Sequence, residues 1–162
     1  MKDKEYYLKV KDLYDRTLLL VSDLFEDKRD KEGFPYINHL IRVSIKLDTK
    51  ELKIAGLLHD SLEDTDITKE DLKELGYSNK IINIIDGVTN KPGEVYNEKI
   101  RRIVDSKDIN IIKLKYADMS DNFDKERLAL LPKDVQKRLK DKYKDNIKLL
   151  KEALDNEKSK SW

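Results

Sequence analysis

Five glycines and three prolines are all that punctuate this chain of 162 residues. These two residue types most readily end a helix or break a strand, so long helices are the expected elements. No segment shows sustained apolar–polar alternation, and β-branched stretches flanked by turns are few. Leu13, Thr17, Leu20, Val21 and Leu24 recur at three- and four-residue steps, which predicts an amphipathic helix from about Tyr6 to Phe25. The segment "EDKRDKEGFP", with Gly33 and Pro35, reads as an exposed charged loop. A second helix is expected from about Ile37 to Leu47, and a third over "DTKELKIAGLLHDSLED", capped by Asp48 or Thr49. Further helices are expected over Thr68–Leu75, ended by Gly76, and from Ser78 to Val88. After a "TNKPGE" turn come Val95–Val104, Ile109–Asn122 and Lys133–Leu154. The expected fold is all-α: one domain over residues 1–156, a compact helical bundle, with a frayed tail over 157–162.

Charged residues make up 41% of the chain, yet runs such as "TLLLVSDLF" and "KIINIIDGV" exclude disorder, so the charges are read as solvated helix faces. The formal net charge is +1, without the basic excess that dominates nucleic-acid binding. The absence of cysteine excludes disulfides and thiolate metal sites and fits a reducing cytoplasm. The N-terminus is polar, and no segment approaches the length of a membrane span. The expectation is a cytoplasmic protein with no nucleic-acid or membrane partner and with no sign of its oligomeric state.

The chain has two histidines, His39 in "PYINHL" and His59 in "GLLHDSLED". Asp60, Glu63 and Asp64 follow His59. On a continuous helix, the i,i+4 pairs His59–Glu63 and Asp60–Asp64 would project from one side of its C-terminal half. Three carboxylates at a helix C-terminus oppose the helix dipole, and a bound cation would relieve that repulsion. Asp118, after the apolar run Ile111, Ile112, Leu114 and Ala117, is expected to be semi-buried, which is costly unless it is paired or coordinates metal. Taken singly, each residue has an ordinary structural reading: a hydrogen-bonded core histidine, an acidic helix end, a cap. Taken together, they fall in three helical contexts that could converge.

"GFPYINHL", "AGLLHDSLEDT" and "KYADMSDN", in that order and separation, resemble the HD-domain metal-dependent phosphohydrolases, and most closely their (p)ppGpp hydrolase branch. The resemblance spans roughly Lys28 to Leu128. It implies four metal ligands, His39, His59, Asp60 and Asp118, a mixed nitrogen and oxygen set suited to a divalent cation, with Mn²⁺ implied by the family. It further implies that Glu63 and Asp64 orient and deprotonate the attacking water. Lys28 and Arg29 stand where the branch carries a basic pair near the nucleotide, and Asn122 closes its Ala-Asp-x-x-x-Asn pattern and could bond a sugar or phosphate. Arg127 could meet a phosphate or occupy a surface helix, while Tyr96 and Arg102 match small bacterial HD proteins without an assigned role.

The branch usually reads Ala-Asp-Arg-Leu-His-Asn, whereas residues 117–122 here read Ala-Asp-Met-Ser-Asp-Asn, without the Arg and the His. The first functional expectation is hydrolysis of a small-molecule nucleotide, removing pyrophosphate from the ribose 3′ position of ppGpp. The alternatives are a phosphatase acting on a deoxynucleoside monophosphate or NADPH, and a nucleotide or metal sensor without turnover. No synthetase segment is expected, and alarmone synthesis is not part of the reading.

Overall fold

The computed structural model describes residues 1–160. Among them the only regular elements are helices: α1 (Lys4–Leu8), α2 (Leu13–Leu24), α3 (Ile37–Ile45), α4 (Lys50–Leu58), α5 (Ser61–Asp64), α6 (Lys69–Glu74), α7 (Asn79–Val88), α8 (Tyr96–Asp105), α9 (Ile109–Asn122), α10 (Lys125–Ala129) and α11 (Lys133–Ser159). The all-α bundle expected from the sequence is the fold observed. None of these helices is long and apolar enough to cross a membrane.

Helix α4 is the centre of the bundle. Leu52, Ile54, Ala55, Gly56, Leu57 and Leu58 are all buried, and the helix packs against α2, α3, α7 and α9. Apolar residues all round mark a helix surrounded by protein. Its start is set by Thr49, whose side chain accepts the Leu52 amide, and Gly56 allows α3 to come close. A Cβ at Gly56 would lie 2.9 Å from Leu47 Cδ1 and 3.0 Å from Ser44 Cα. The last turn of α3, and hence the helix bearing His39, therefore rests directly on α4. Where α6 ends, Gly76 has φ +92, the Tyr77 amide bonds the Leu72 carbonyl and the Gly76 amide bonds the Lys73 carbonyl. This is the two-bond left-handed helix cap that glycine makes possible. It turns Tyr77 into the core, where its hydroxyl meets Thr17 Oγ1 at 2.8 Å.

Several boundaries depart from the sequence reading. The single first helix is two: Asp12 caps α2 by accepting the Tyr14 and Asp15 amides, and Arg16 Nε bonds the Val10 carbonyl, so α1 folds back on α2. Short acidic side chains compete with the helical backbone in this way. The third helix also breaks. His59 Nδ1 bonds the Gly56 carbonyl and Ser61 Oγ the Leu58 carbonyl, so side chains take acceptors at the end of α4, and α5 starts afresh after Asp60. One-turn α10, capped by Asp124, is additional. Helix α11 continues through residues 157–159 of the expected frayed tail, while Ser161 and Trp162 lie outside the described residues.

The charged loop is an ordered hairpin rather than a solvated coil. Arg29 and Pro35 form one antiparallel bridge, and Asp30 Oδ1 accepts the Glu32 and Phe34 amides around Gly33 at φ +90.

Gly56→Ala should lower stability by about 1–2 kcal/mol, because overpacking costs about 1–3 kcal/mol and exceeds a helix-propensity gain of up to about 1 kcal/mol. Urea unfolding measures this, and an unchanged or raised midpoint would mean that α3 and α4 can move apart without loss.

Candidate metal centre

Three helical segments bring both histidines and two of the expected acids to one point. His39 lies in the first turn of α3, His59 and Asp60 follow the end of α4, and Asp118 lies in the last turn of α9. The two Nε2 atoms are 3.3 Å apart. Asp118 Oδ1 lies 3.1 Å from His39 Nε2 and 3.2 Å from His59 Nε2, and Asp60 Oδ2 lies 3.0 Å from His59 Nε2 and 3.8 Å from His39 Nε2. Both imidazoles are only 2% exposed. His39, His59 and Asp60 each offer one ligand atom within 4.8 Å of the others, a group that could hold a metal ion.

The hydrogen bonds on the far side of each ring decide what Nε2 presents. His59 Nδ1–H donates to the Gly56 carbonyl at 2.7 Å, and His39 Nδ1–H donates to Asp121 Oδ2 at 2.7 Å. With Nδ1 protonated, the neutral tautomer carries its lone pair on Nε2. Two such lone pairs face each other beside two carboxylates, and a positive charge between them is what makes the arrangement favourable. The electrostatics of the surrounding groups agree. Burial alone would push both imidazolium groups down, but Asp60 and Asp118 hold His59 well above its ordinary value, and Asp118 and Asp121 raise His39. Burial would raise Asp118, yet Lys115 and the histidines hold it well below the usual carboxylate range. Two imidazole nitrogens beside carboxylate oxygens are the kind of donor set that divalent cations take.

Four side chains that the sequence reading did not place in the site surround it. Asp121, 1% exposed, backs His39 and receives Arg42 Nε at 2.8 Å and Arg127 Nη1 at 2.5 Å. Burial opposes its ionisation, but His39 and Arg42 bring it down to about 2. Tyr36 donates its hydroxyl to Asp60 Oδ2 at 2.5 Å, and burial and that carboxylate push its own ionisation upward. The buried Lys115 bonds Asp118 Oδ2 at 2.8 Å, so Asp118 turns only Oδ1 to the histidines. Lys99, also buried, bonds Glu63 Oε1 at 2.8 Å. Tyr36, Lys115 and Asp121 lie inside the quoted motifs, and Lys115 stands three residues before Asp118 on one helix, the spacing at which side chains meet. Lys99 gave no such signal, because α8 is remote from the motifs in sequence.

Glu63 and Asp64 are placed differently from the helical projection. Because the chain turns at His59 and Asp60, Glu63 points to Lys99 and to the Asn90 amide, 2.5 Å away, and Asp64 pairs with Lys28. Among the described residues no hydrogen bond or ion pair joins either acid to the histidines.

A cavity of about 320 Å³ opens beside His39 and is lined by Lys28, Arg29, Asn122 and Arg127, with Tyr36 and Tyr143 among its aromatic walls. All three expected substrate contacts thus border one space. The Lys28 ammonium sits 4.1 Å over the Tyr36 ring, and Asn122 Nδ2 donates to Asp118 Oδ1. Tyr96 stacks edge-on against Tyr143, while Arg102 clamps the turn before α8 by bonding Glu94 and the Gly87 and Thr89 carbonyls. Neither residue borders that cavity.

No protein-family model matches the chain. It is 37% identical over 140 residues to a guanosine-3′,5′-bis(diphosphate) 3′-pyrophosphohydrolase of Borreliella burgdorferi, covering 76% of this chain and 20% of that protein. It is 39% identical over 108 residues to the protein of the same name in Aquifex aeolicus, covering 60% and 15%. The chain therefore spans a fifth or less of the length of these relatives. A solved structure described as a metazoan ortholog of SpoT that hydrolyses ppGpp and plays a role in starvation responses shares the fold. The TM-score is 0.68 at 22% identity, over 93% of this chain and 96% of that one.

Asp121→Asn should weaken divalent-cation binding by about 10–100-fold, the usual cost of removing the carboxylate behind a ligating histidine. Calorimetric titration with Mn²⁺ reads this, and an unchanged affinity would show that His39 does not depend on Asp121 for its orientation.

Proposed function

We propose, from the premise that the chain is an HD-domain protein of the (p)ppGpp hydrolase-like kind, that it removes pyrophosphate from the ribose 3′ position of ppGpp or pppGpp. The observation that carries the reading is the meeting of His39, His59, Asp60 and Asp118 beside a cavity lined by Lys28, Arg29 and Asn122. His39, His59, Asp60 and Asp118 would hold a divalent cation, for which Mn²⁺ is proposed. When bound, such a cation makes a water more acidic and polarises a phosphoryl oxygen.

The protein's own groups supply the remaining work. Glu63 and Asp64, which here pair with Lys99 and Lys28 rather than with the histidines, are the acids proposed to orient the attacking water and take its proton. Lys99 and the Asn90 amide both bond Glu63 Oε1, which leaves Oε2 as the acceptor for that proton. Water oxygen bonds to the phosphorus attached to the ribose 3′ oxygen, the bond to that oxygen breaks, the released oxygen takes up a proton to become the 3′-hydroxyl, and GDP and pyrophosphate leave when the substrate is ppGpp. Lys28 and Arg29 meet phosphates or the face of the base. Asn122 spends its amide hydrogen on Asp118 and keeps its carbonyl oxygen for a sugar hydroxyl. Tyr36 stays protonated and holds Asp60 Oδ2. The cysteine-free composition fits action in the cytoplasm.

Purified Mn²⁺-loaded protein incubated with ppGpp, beside NADPH and deoxynucleoside monophosphates, should release pyrophosphate and GDP from ppGpp, with none from His59→Ala. Glu63→Gln should lower kcat by about 10²–10⁴-fold, the range for losing a general base, while still binding Mn²⁺. Metal-dependent orthophosphate release from another nucleotide would keep the site and replace the substrate. Mn²⁺ binding without turnover of any of these would favour a sensor.

A further inference from the structure

The acids of the hairpin that carries Lys28 and Arg29 are connected to the carboxylate behind His39 through one side chain. Arg127, on α10, directs Nη1 to the Asp121 carbonyl at 3.0 Å and to Asp121 Oδ2 at 2.5 Å. Its Nη2 bonds Glu32 Oε2 at 2.9 Å and approaches Asp30 Oδ2 at 3.5 Å. Asp121 Oδ2 is also the atom that receives His39 Nδ1. One guanidinium thus joins the carboxylate behind His39 to two acids of the hairpin, both with side chains almost wholly out of solvent. Asp30 in turn sets the hairpin's shape, because its other oxygen accepts the Glu32 and Phe34 amides. The hairpin's own backbone bonds are few: Asp30 to Phe34, Gly33 to Asp30 and Tyr36 to Lys28.

Geometry and charge both point to a strut. The loop has no apolar core of its own, and Phe34 at its tip is 52% exposed. Its position must therefore come from its ends and from this ion-pair network. A planar guanidinium can serve both partners at once, which a lysine ammonium in the same place cannot do with the same geometry. A buried ion pair is a poor guide to net stability, so what this network offers is a defined geometry. Asp121 stands where the related branch usually carries histidine, so the strut goes with this chain's own departure from that pattern.

We propose that Arg127 is a positioning residue that locks the Lys28–Arg29 hairpin to the carboxylate supporting His39, setting the distance between nucleotide contacts and reacting phosphorus. The nucleotide half of this statement rests on the hydrolase reading above, whereas the strut itself does not.

Two measurements on the full chain separate the halves. Amide exchange at Asp30, Glu32, Gly33, Phe34 and Tyr36 should quicken by about tenfold or more in Arg127→Met, as expected for losing a charge-assisted hydrogen bond. Glu32→Ala, which cuts only the loop end, should quicken the same amides. Arg127→Lys, which keeps the charge without the fork, should restore only part of the protection. For ppGpp hydrolysis, Arg127→Met should raise KM by about tenfold with kcat within about threefold, the signature of lost substrate binding rather than lost chemistry. Unchanged exchange in Glu32→Ala overturns the strut, and so does unchanged exchange in Arg127→Met. If Arg127→Met does not fold, Glu32→Ala alone decides the exchange arm. A fall in kcat at constant KM overturns the positioning role by placing Arg127 in the chemical step. Should the wild-type protein turn over no ppGpp, the hydrolase reading fails and the exchange arm still decides the strut.

Discussion

Two imidazole nitrogens 3.3 Å apart, each with its opposite nitrogen committed to an acceptor, are the arrangement around which the molecule is organised. Nothing within either ring would hold them together. They are held because Gly56 brings α3 down onto α4, and because α9 inserts Asp118 between them. The break after α4 belongs to the same arrangement. His59 takes the Gly56 carbonyl, which stops the helix from running on and fixes the ring's orientation at once. The feature that makes the site is also the feature that ends the helix, so a local irregularity coincides with the place where chemistry is proposed.

Around this point, buried charges alternate in sign. Asp118 has Lys115 on one oxygen and the histidines on the other, Glu63 has Lys99, and Asp121 has Arg42 and Arg127. Burying ions in this way costs desolvation, and replacing such pairs by apolar groups is often neutral or better for stability. Their value here is directional. Lys115 occupies one oxygen of Asp118 and leaves the other aimed at the histidines, while Asp121 takes Arg42 on Oδ1 and shares Oδ2 between Arg127 and His39, an arrangement no apolar packing could achieve. The hairpin follows the same logic, with two of its acids satisfied by a side chain from α10.

His39, His59, Asp60 and Asp118 were singled out in the sequence by the resemblance of the motifs that carry them, since spacing and residue type alone left each with an ordinary structural reading. The projection of Glu63 and Asp64 was not legible there. An i,i+4 argument holds only along a continuous helix, and side-chain bonds at Gly56 and Leu58 interrupt this one. The tight backbone bond from Asp64 to Asp60 keeps the turn nearly helical, so the sequence carries little warning of the change. Asp12 broke the first expected helix for a similar reason: an acid that reads as a solvated position on a periodic stretch accepts the Tyr14 and Asp15 amides as a cap instead.

By itself, the sequence determined the helical class, most helix boundaries in the second half of the chain, and the positions of the two histidines and of the acids beside them. These follow from periodicity, from capping chemistry and from residue types, all of which act over a few positions. Only the tertiary structure decided which atom of each ring faces the site, that Asp121 stands behind His39, and that Lys99, Lys115 and Arg127 are partners of acids. It also turned a charged loop into one wall of a cavity. Those outcomes depend on pairs of residues as far as 97 positions apart, such as Arg127 and Asp30. Hydrogen bonds and ion pairs reach only a few ångströms, so helix packing and the short carbonyl-capped turns between elements had to bring such groups together first.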